Sequence, residues 1–255
     1  MAESIKDEKQ FLENLYGNYI KSSDSSYLRL MRELMIRQCL PYIPQNAGAV
    51  EFGCEIGYMT SLISPLVKRL DVIEGSASFI KEAKKRKLKN VKFYLQLFEE
   101  FSAYDKYDCA FASHVIEHLI DPQAVLRNIL NGLRPGGHLF ITVPNAETAS
   151  RQLAKKMHFF DDLYALTPND IRGGHRRVYN MESIYKEVLN AGFGVVEISG
   201  ILFKPFCDFQ MDHLIDTGFL QKEHLEGLYE LGKDFARLCG DIFICAQKVK
   251  RGVVK

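Results

Sequence analysis

At 255 residues, with 47% hydrophobic and 25% charged residues and a formal net charge of +1, the chain suffices for one large domain with a sizeable core. The near-neutral balance argues against wholesale capture of nucleic acid, and no apolar run approaches the roughly 18 residues of a membrane-spanning helix, so no nucleic acid or membrane partner is expected. The N-terminus MAESIKDEKQ lacks the apolar core of a signal peptide, and none of the six cysteines forms a C-x-x-C pair, which leads us to expect a reduced, cytoplasmic protein.

Residues 4–22 and 25–40 read as two helices separated by KSSDSS. Leu28, Met31, Leu34 and Met35 recur at helical spacing, and Pro41 and Pro44 stop the second helix. The pattern then alternates. AVEFG is a short strand ending in glycine, residues 58–69 look helical, and LDVIEG is a second strand ending in an acid. SASFIKEAKKRK is a helix with Ser76 or Ser78 as N-cap, and its lysine-rich end reads as a solvated face. NVKFYLQL and YDCAFASH are the third and fourth strands; DPQAVLRNILNGL is a helix with Pro122 in its first turn. RPGG reads as a turn before the fifth strand, HLFITVPN. Such a series predicts a parallel sheet covered by helices on both faces. Residues 146–179 break the rhythm and read as a lid over the substrate. A helix, MESIYKEVLNAGF, and a sixth strand, GVVEISGIL, follow; residues 205–238 form a second, helical insertion, and DIFICAQKV is the final strand. The expected organisation is a helical cap (1–44), a cofactor-binding core (45–145), the lid (146–179) and the rest of the core with its insertion (180–255).

In an open parallel sheet, ligands bind beyond the carboxyl ends of the strands, where strand order reverses. The unusual residues of this chain fall there. In EFGCEIG, Gly53 allows a tight turn and Gly57 a close approach. Glu74 ends the second strand about 20 residues on, placed to accept the two hydroxyls of a ribose. A dinucleotide needs a further glycine to seat its pyrophosphate on a helix N-terminus, and GYMTSLI has none. S-adenosylmethionine has no phosphate and needs only the bend, the acid and an apolar slot. HVIEH, His114 to His118, fits the H-x-x-E-H pattern of a class of zinc peptidases. It follows the fourth strand, however, where a nucleoside pocket is expected.

EFGCEIG, VIEGS, LFEEF, YDCAFASHVIEHLIDP, LRPGGHLFITVPN and GGHRRVYNMESIYKEVLNAGF together resemble class I S-adenosylmethionine-dependent methyltransferases. The branch most resembled includes ubiquinone-biosynthesis O-methyltransferases and many sugar and natural-product methyltransferases. The likeness spans about residues 45–200. It implies an α/β, Rossmann-like, mostly parallel seven-stranded sheet whose last strand is antiparallel. It places Glu51, Gly53 and Gly57 along the methionine part of S-adenosyl-L-methionine, Glu74 on the ribose, Gly75 and Ser76 on the same wall, Leu97 and Phe98 beside adenine, and Ser113 and His114 under the cofactor. Two departures stand out: no aspartate precedes the adenine-side residue, where Glu99 is a substitute or faces solvent, and Glu55 stands where glycine is common.

By the same resemblance HVIEH is not a zinc site, and no metal is expected. His118 and His175 are candidate bases for a hydroxyl acceptor, His118 on a helix beside the fourth strand. Arg176 and Arg177 are a candidate clamp for an acidic group. Buried structural histidines and surface arginines are the alternatives. The implied reaction is O-methylation of a small polar metabolite, an acid or a sugar, by a monomer or homodimer. N- or C-methylation, or a non-catalytic cofactor-binding protein on the same fold, is the alternative.

Overall fold

Apolar runs of strand length alternate with amphipathic helices along the chain, and a computed structural model, describing residues 5–22 and 25–249, turns that alternation into layers. The strands are β1 (Gly48–Phe52), β2 (Arg69–Glu74), β3 (Val91–Leu95), β4 (Tyr107–Ser113), β5 (Leu133–Pro144), β6 (Gly194–Phe203) and β7 (Cys239–Gln247). They form one seven-stranded sheet in the order β3-β2-β1-β4-β5-β7-β6. All neighbouring pairs are parallel except those of β7, which runs antiparallel to both β5 and β6. Strand order reverses between β1 and β4, so the crevice beyond their carboxyl ends is where a ligand belongs.

Among the described residues ten α-helices accompany the sheet: α1 (Ile5–Ser22), α2 (Ser26–Cys39), α3 (Tyr58–Ile63), α4 (Ala77–Ala83), α5 (Pro122–Gly132), α6 (Ala149–Lys156), α7 (Pro168–Arg172), α8 (Met181–Asn190), α9 (Asp208–Asp216) and α10 (Lys222–Asp234). Several begin at a residue whose side chain accepts from the first turn: Ser25 from Leu28 N, Ser76 from Phe79 N, Asp121 from Ala124 N and Asn180 from Ser183 N. Alternation along the strands divides the core in two. Ala110, Ala112, Ile141 and Ile244 face Val125, Leu126 and Ile129 of α5 and Ile184 and Val188 of α8. Cys109, Phe111, Phe140 and Phe243 face Met31, Met35 and Cys39 of α2 and Met59 and Ile63 of α3. α9 fixes the start of α2, because Asp212 accepts from both Ser25 Oγ and Tyr27 N. All six cysteines are free. Among the described residues, no helix is long and apolar enough to cross a membrane.

Three local expectations differ. The helix read over 58–69 ends at Ile63, because Pro65 turns the chain through a short 3-10 segment, Ser64–Leu66, before β2. RPGG is not a turn but the start of β5; a register shift between Tyr107 and Cys109 of β4 absorbs the irregularity, with Gly136 at φ +87. HVIEH is not helical either. The sheet ladder continues one residue past β4 through His114 N, which donates to Thr142 O, and His114 then turns into the left-handed region at φ +53. α5 begins only at Pro122, so the segment between has room for one 3-10 turn, Ile116–His118.

Gly57 shows how closely the sheet and helices meet near the crevice. It sits at φ +80, and a Cβ there would lie 2.9 Å from both Ala83 Cα and Ala83 Cβ. Gly57→Val is expected to lose about 1–3 kcal/mol from backbone strain alone, and more from the clash. Urea unfolding should show a lower midpoint with an unchanged slope; an unaltered midpoint would remove Gly57 as a structural determinant.

Candidate active site

The wall of the crevice begins with two acids. Glu51, in β1, is 1% exposed, and neither its carboxylate oxygens nor the neighbouring Thr60 hydroxyl has a well-formed hydrogen bond. Burial pushes the Glu51 carboxyl up from its usual value near 4.5 to about 8, and the nearby Glu74 charge adds to the rise. Glu74 ends β2 and is also buried, which raises its pKa against the hydrogen bonds it accepts. Its Oε2 accepts from Cys54 N at 3.0 Å and its Oε1 from Ser76 N at 2.9 Å. Cys54 Sγ also lies 3.7 Å from Oε2; a carboxylate offers about four acceptor positions, so room for one further donor remains.

Glycines shape the space in front of these acids. Gly53, at φ +74, faces Val115 and Phe98; a Cβ there would come within 3.3 Å of Val115 Cγ2. A Cβ at Gly75 would collide with the Leu12 side chain and lie 3.1 Å from Leu97 Cδ2. Leu97 is buried, and its N–H donates to Glu100 Oε2 at 3.1 Å. Phe98 packs edge-on against Phe52, with ring centroids 5.8 Å apart. Glu99 is exposed, so the acid turned back toward this wall is Glu100.

The glycine missing at Glu55 is compensated from another element. Glu55 adopts φ +48, a conformation costing a non-glycine residue about 1–2 kcal/mol. Its carboxylate pairs with Arg32 Nη2 of α2 at 2.6 Å, both side chains being largely covered. The Arg32 charge also reaches Glu51 and His114. Nothing in the local pattern of α2 marks this arginine; only its place beside the loop does.

Beyond β4 lies a polar cluster. Ser113 Oγ is 3.1 Å from Thr142 Oγ1. His114 Nε2 is 2.8 Å from Asp241 Oδ2, at the start of β7, and its Nδ1 is 3.6 Å from Glu117 Oε1. Burial disfavours the charged imidazole, but Asp241 outweighs it and pushes the His114 pKa up to about 9. Glu117 is 1% exposed with both carboxylate oxygens lacking a hydrogen bond. Burial raises its pKa, opposed by the adjacent His114 and His175. His118 stands 4.7 Å from His175, ring centroid to centroid, in an edge-to-face arrangement. Burial and the His175 charge press the His118 pKa down to about 3, so this imidazole is neutral at physiological pH. His175 Nδ1 lies 3.4 Å from Asp170 Oδ1. Asp170 accepts from Thr167 N and Oγ1 and meets Arg151; burial would raise its pKa, but His175 and then the Thr167 contacts outweigh it and hold the carboxyl well below the usual range.

The structure thus brings together His118 and His175, which the sequence reading paired, and adds Glu117. One ligand atom from each of Glu117, His118 and His175 lies within 4.8 Å of the others. A carboxylate and two imidazoles so placed suit a divalent first-row metal. The expectation of no metal rests on the place of HVIEH after β4, where the resemblance puts cofactor and substrate. The fold turns His114 to Asp241 and sets His118 beside His175, from the segment between β5 and α8.

The two arginines of the expected clamp have different surroundings. Arg176 N donates to Glu117 O at 2.9 Å and its Nε to His118 O at 2.8 Å, while Nη2 meets Glu8 Oε2 at 2.8 Å. Its guanidinium is engaged in holding backbone and helix rather than aimed at an acceptor. Arg177 Nη2 reaches Ile120 O at 3.4 Å, and its buried Nη1 has no partner. The two do not form one fork.

A doubly wound sheet with one antiparallel strand, glycines opposite an acid at the end of β2 and a polar cluster beyond β4 define a class I S-adenosylmethionine-dependent methyltransferase. Residues 25–198 match a family model described as a methyltransferase domain, and the chain belongs to that family. It is 24% identical over 180 residues to the ubiquinone biosynthesis O-methyltransferase of Xanthomonas axonopodis pv. citri (strain 306), covering 64% of this chain and 69% of that protein. It is 26% identical over 170 residues to the mitochondrial ubiquinone biosynthesis O-methyltransferase of Homo sapiens, covering 63% of this chain and 45% of that one. Among solved structures, it superposes on the N-methyltransferase NodS of Bradyrhizobium japonicum WM9 in complex with S-adenosyl-L-homocysteine. The TM-score is 0.57 at 16% identity, over 92% of this chain and 98% of that one.

The raised Glu51 pKa fixes the sign of a pH effect. Below about 4.5 the carboxyl is protonated folded or unfolded; above that the unfolded chain ionises first, so stability is lost progressively until the folded group ionises near 8. Glu51→Gln removes this loss. The urea midpoint of the variant should therefore gain on wild type steadily from pH 5 to pH 8. Parallel pH profiles for the two proteins would show that Glu51 is not held in a desolvated site.

Proposed function

We propose that the protein moves the methyl group of S-adenosylmethionine to a hydroxyl of a small polar acceptor seated against Glu117, His118 and His175. The observation that carries this is the convergence of those three side chains, from two separate segments, beyond the carboxyl end of β4 and beside the glycine wall. The similarity to O-methyltransferases of ubiquinone biosynthesis supports the choice of oxygen as acceptor.

The residues present fit the cofactor. Glu51, buried with two oxygens lacking a well-formed hydrogen bond, suits an ammonium group, whose charge would favour the ionised carboxylate and release its proton to solvent. Arg32, close to the same loop, suits a carboxylate. Glu74 has acceptor capacity left for a ribose hydroxyl. Leu97, Phe98 and the face of Gly75, which Leu12 covers here, suit adenine by apolar contact, without the usual aspartate. Bound there, the cofactor supplies an already activated methyl group. The chain's own part is orientation, exclusion of water and care of one proton. Holding acceptor and methyl in line contributes up to about 7–11 kcal/mol in ideal cases.

For the proton, neutral His118 serves better as a hydrogen-bond partner that aims the hydroxyl than as a strong base. Glu117, its pKa raised by burial, is the better acceptor of the proton in this cluster. His175 orients from the lid.

A second reading rests on the same three groups: a divalent cation held by Glu117, His118 and His175 would bind the hydroxyl and ease its deprotonation. Its donor set is right, because one carboxylate and two imidazoles suit such an ion and His118 is uncharged at neutral pH. Elemental analysis and dialysis against a chelator separate the two. One equivalent of metal that leaves with activity, and fails to bind His175→Ala, selects the cation; activity surviving the chelator selects the side chains alone.

With methyl-labelled cofactor and a panel of phenols, sugars, hydroxy acids and amines, label should appear on a hydroxyl oxygen. Label confined to nitrogen or carbon would replace O-methylation, and cofactor binding with no transfer to any acceptor would leave a binding protein. On the true acceptor, His118→Ala is expected to lower kcat about 10²-fold at unchanged cofactor affinity, and His175→Ala mainly to raise KM. Near-normal kcat in His118→Ala would make His118 structural.

A further inference from the structure

α1 joins the two halves of the site. Its middle lies on the cofactor wall. Leu12 fills the space left by Gly75, next to Leu97. Glu13 Oε1 accepts from Ala77 N at 2.6 Å and Ser78 N at 3.3 Å, which lowers its pKa although burial opposes that. Tyr16 packs edge-on against Phe79, ring centroids 5.4 Å apart. Further contacts of α1 lie on residues 174–176. A Cβ at Gly174 would sit 2.8 Å from Leu15 Cδ1 and 3.2 Å from Phe11 Cζ, so that glycine exists to receive the helix. The Glu8 carboxylate pairs with Arg176 Nη2 at 2.8 Å, and the same guanidinium stacks over Phe11 at 5.1 Å.

Arg176 is therefore held from two sides. One side is α1. The other is the backbone of Glu117 and His118, whose carbonyls accept from Arg176 N and Nε. A helix that seals Gly75 also tightens, through one guanidinium, the segment that carries the acceptor cluster.

We propose that α1 is a strap: it opens to admit S-adenosylmethionine between Gly75 and Leu97, and closes with its Glu8–Arg176 latch made, so that cofactor binding orders the Glu117–His118 segment. The proposal rests on the cofactor reading of the Gly75 wall. Leu12 must lift for an adenine to reach that wall, and once it returns it covers the base with hydrocarbon. Because the strap touches both sites, the coupling is reciprocal: an acceptor that orders His118 also slows cofactor release.

The test is amide hydrogen exchange on the full chain, with S-adenosyl-L-homocysteine as probe, beside the rate of its release. In wild type, saturating probe should slow exchange over residues 8–17 and over 114–118 together. Glu8→Gln should speed exchange in both segments, leave β1 and β4 as they were, and accelerate release about fivefold or more; Glu8→Asp should restore much of the wild-type rate. Probe that binds by calorimetry without protecting residues 8–17, or a Glu8→Gln release rate equal to wild type, overturns the strap. Absence of probe binding overturns the cofactor reading instead, and the latch is then judged by whether Glu8→Gln frees residues 114–118 in the unliganded protein; if it does not, the strap fails too.

Discussion

The Glu74 carboxylate, taken out of water at the end of β2, accepts one hydrogen bond from the loop after β1 and another from the loop after β2. Two turns that would otherwise move separately are tied to one rigid strand end. The position of Gly53, the N-terminus of α4 and the face of Gly75 all follow from that tie. Burying an ionised carboxylate is costly unless donors surround it, and the backbone N–H groups of Cys54 and Ser76 are donors that no side-chain rotation can withdraw. The same residue that suits a ribose thus first sets the wall on which the ribose would lie.

Electrostatic pairing continues across the crevice. His114 lies between Asp241 and Glu117, with a left-handed backbone directing its ring between the two acids. Next to them His118 is kept uncharged. Charge in this interior is arranged rather than avoided: a cationic imidazole faces the sheet, a neutral one faces the lid, and an acid without hydrogen-bond partners lies between. Such a carboxylate is expensive in a protein with nothing to do there, which is why the cluster carries the functional reading.

The layers were legible from the sequence because their causes are local. Short apolar runs marked the strands, Ser76 and Pro122 marked helix starts, and the glycines with Glu74 marked the crevice. The cluster was legible as residue types but not as a geometry. His114 meets Asp241 across 127 positions of chain and Arg176 meets Glu8 across 168, and no periodicity encodes such pairs. HVIEH shows the limit most clearly. Its spacing suits a helix, yet the hydrogen bond from His114 N to Thr142 O commits that residue to the sheet, and the segment has too few residues left before Pro122 to wind up. Arg32 was silent for a related reason: in α2 it is one arginine among several, and only Glu55 across the gap distinguishes it.

β7 follows every other strand in the chain yet lies between β5 and β6. Until residues 239–247 have been synthesised, β5 presents an open edge and β6 has no neighbour in the sheet to pair with, an arrangement prone to the wrong partner. Asp241 arrives with that strand. A growing chain therefore has its cofactor wall, built from β1 to β3, long before the counter-ion that fixes His114 is made, and the acceptor side matures only as the sheet closes. The order of manufacture thus puts the closing of the sheet and the pairing of His114 into one late step.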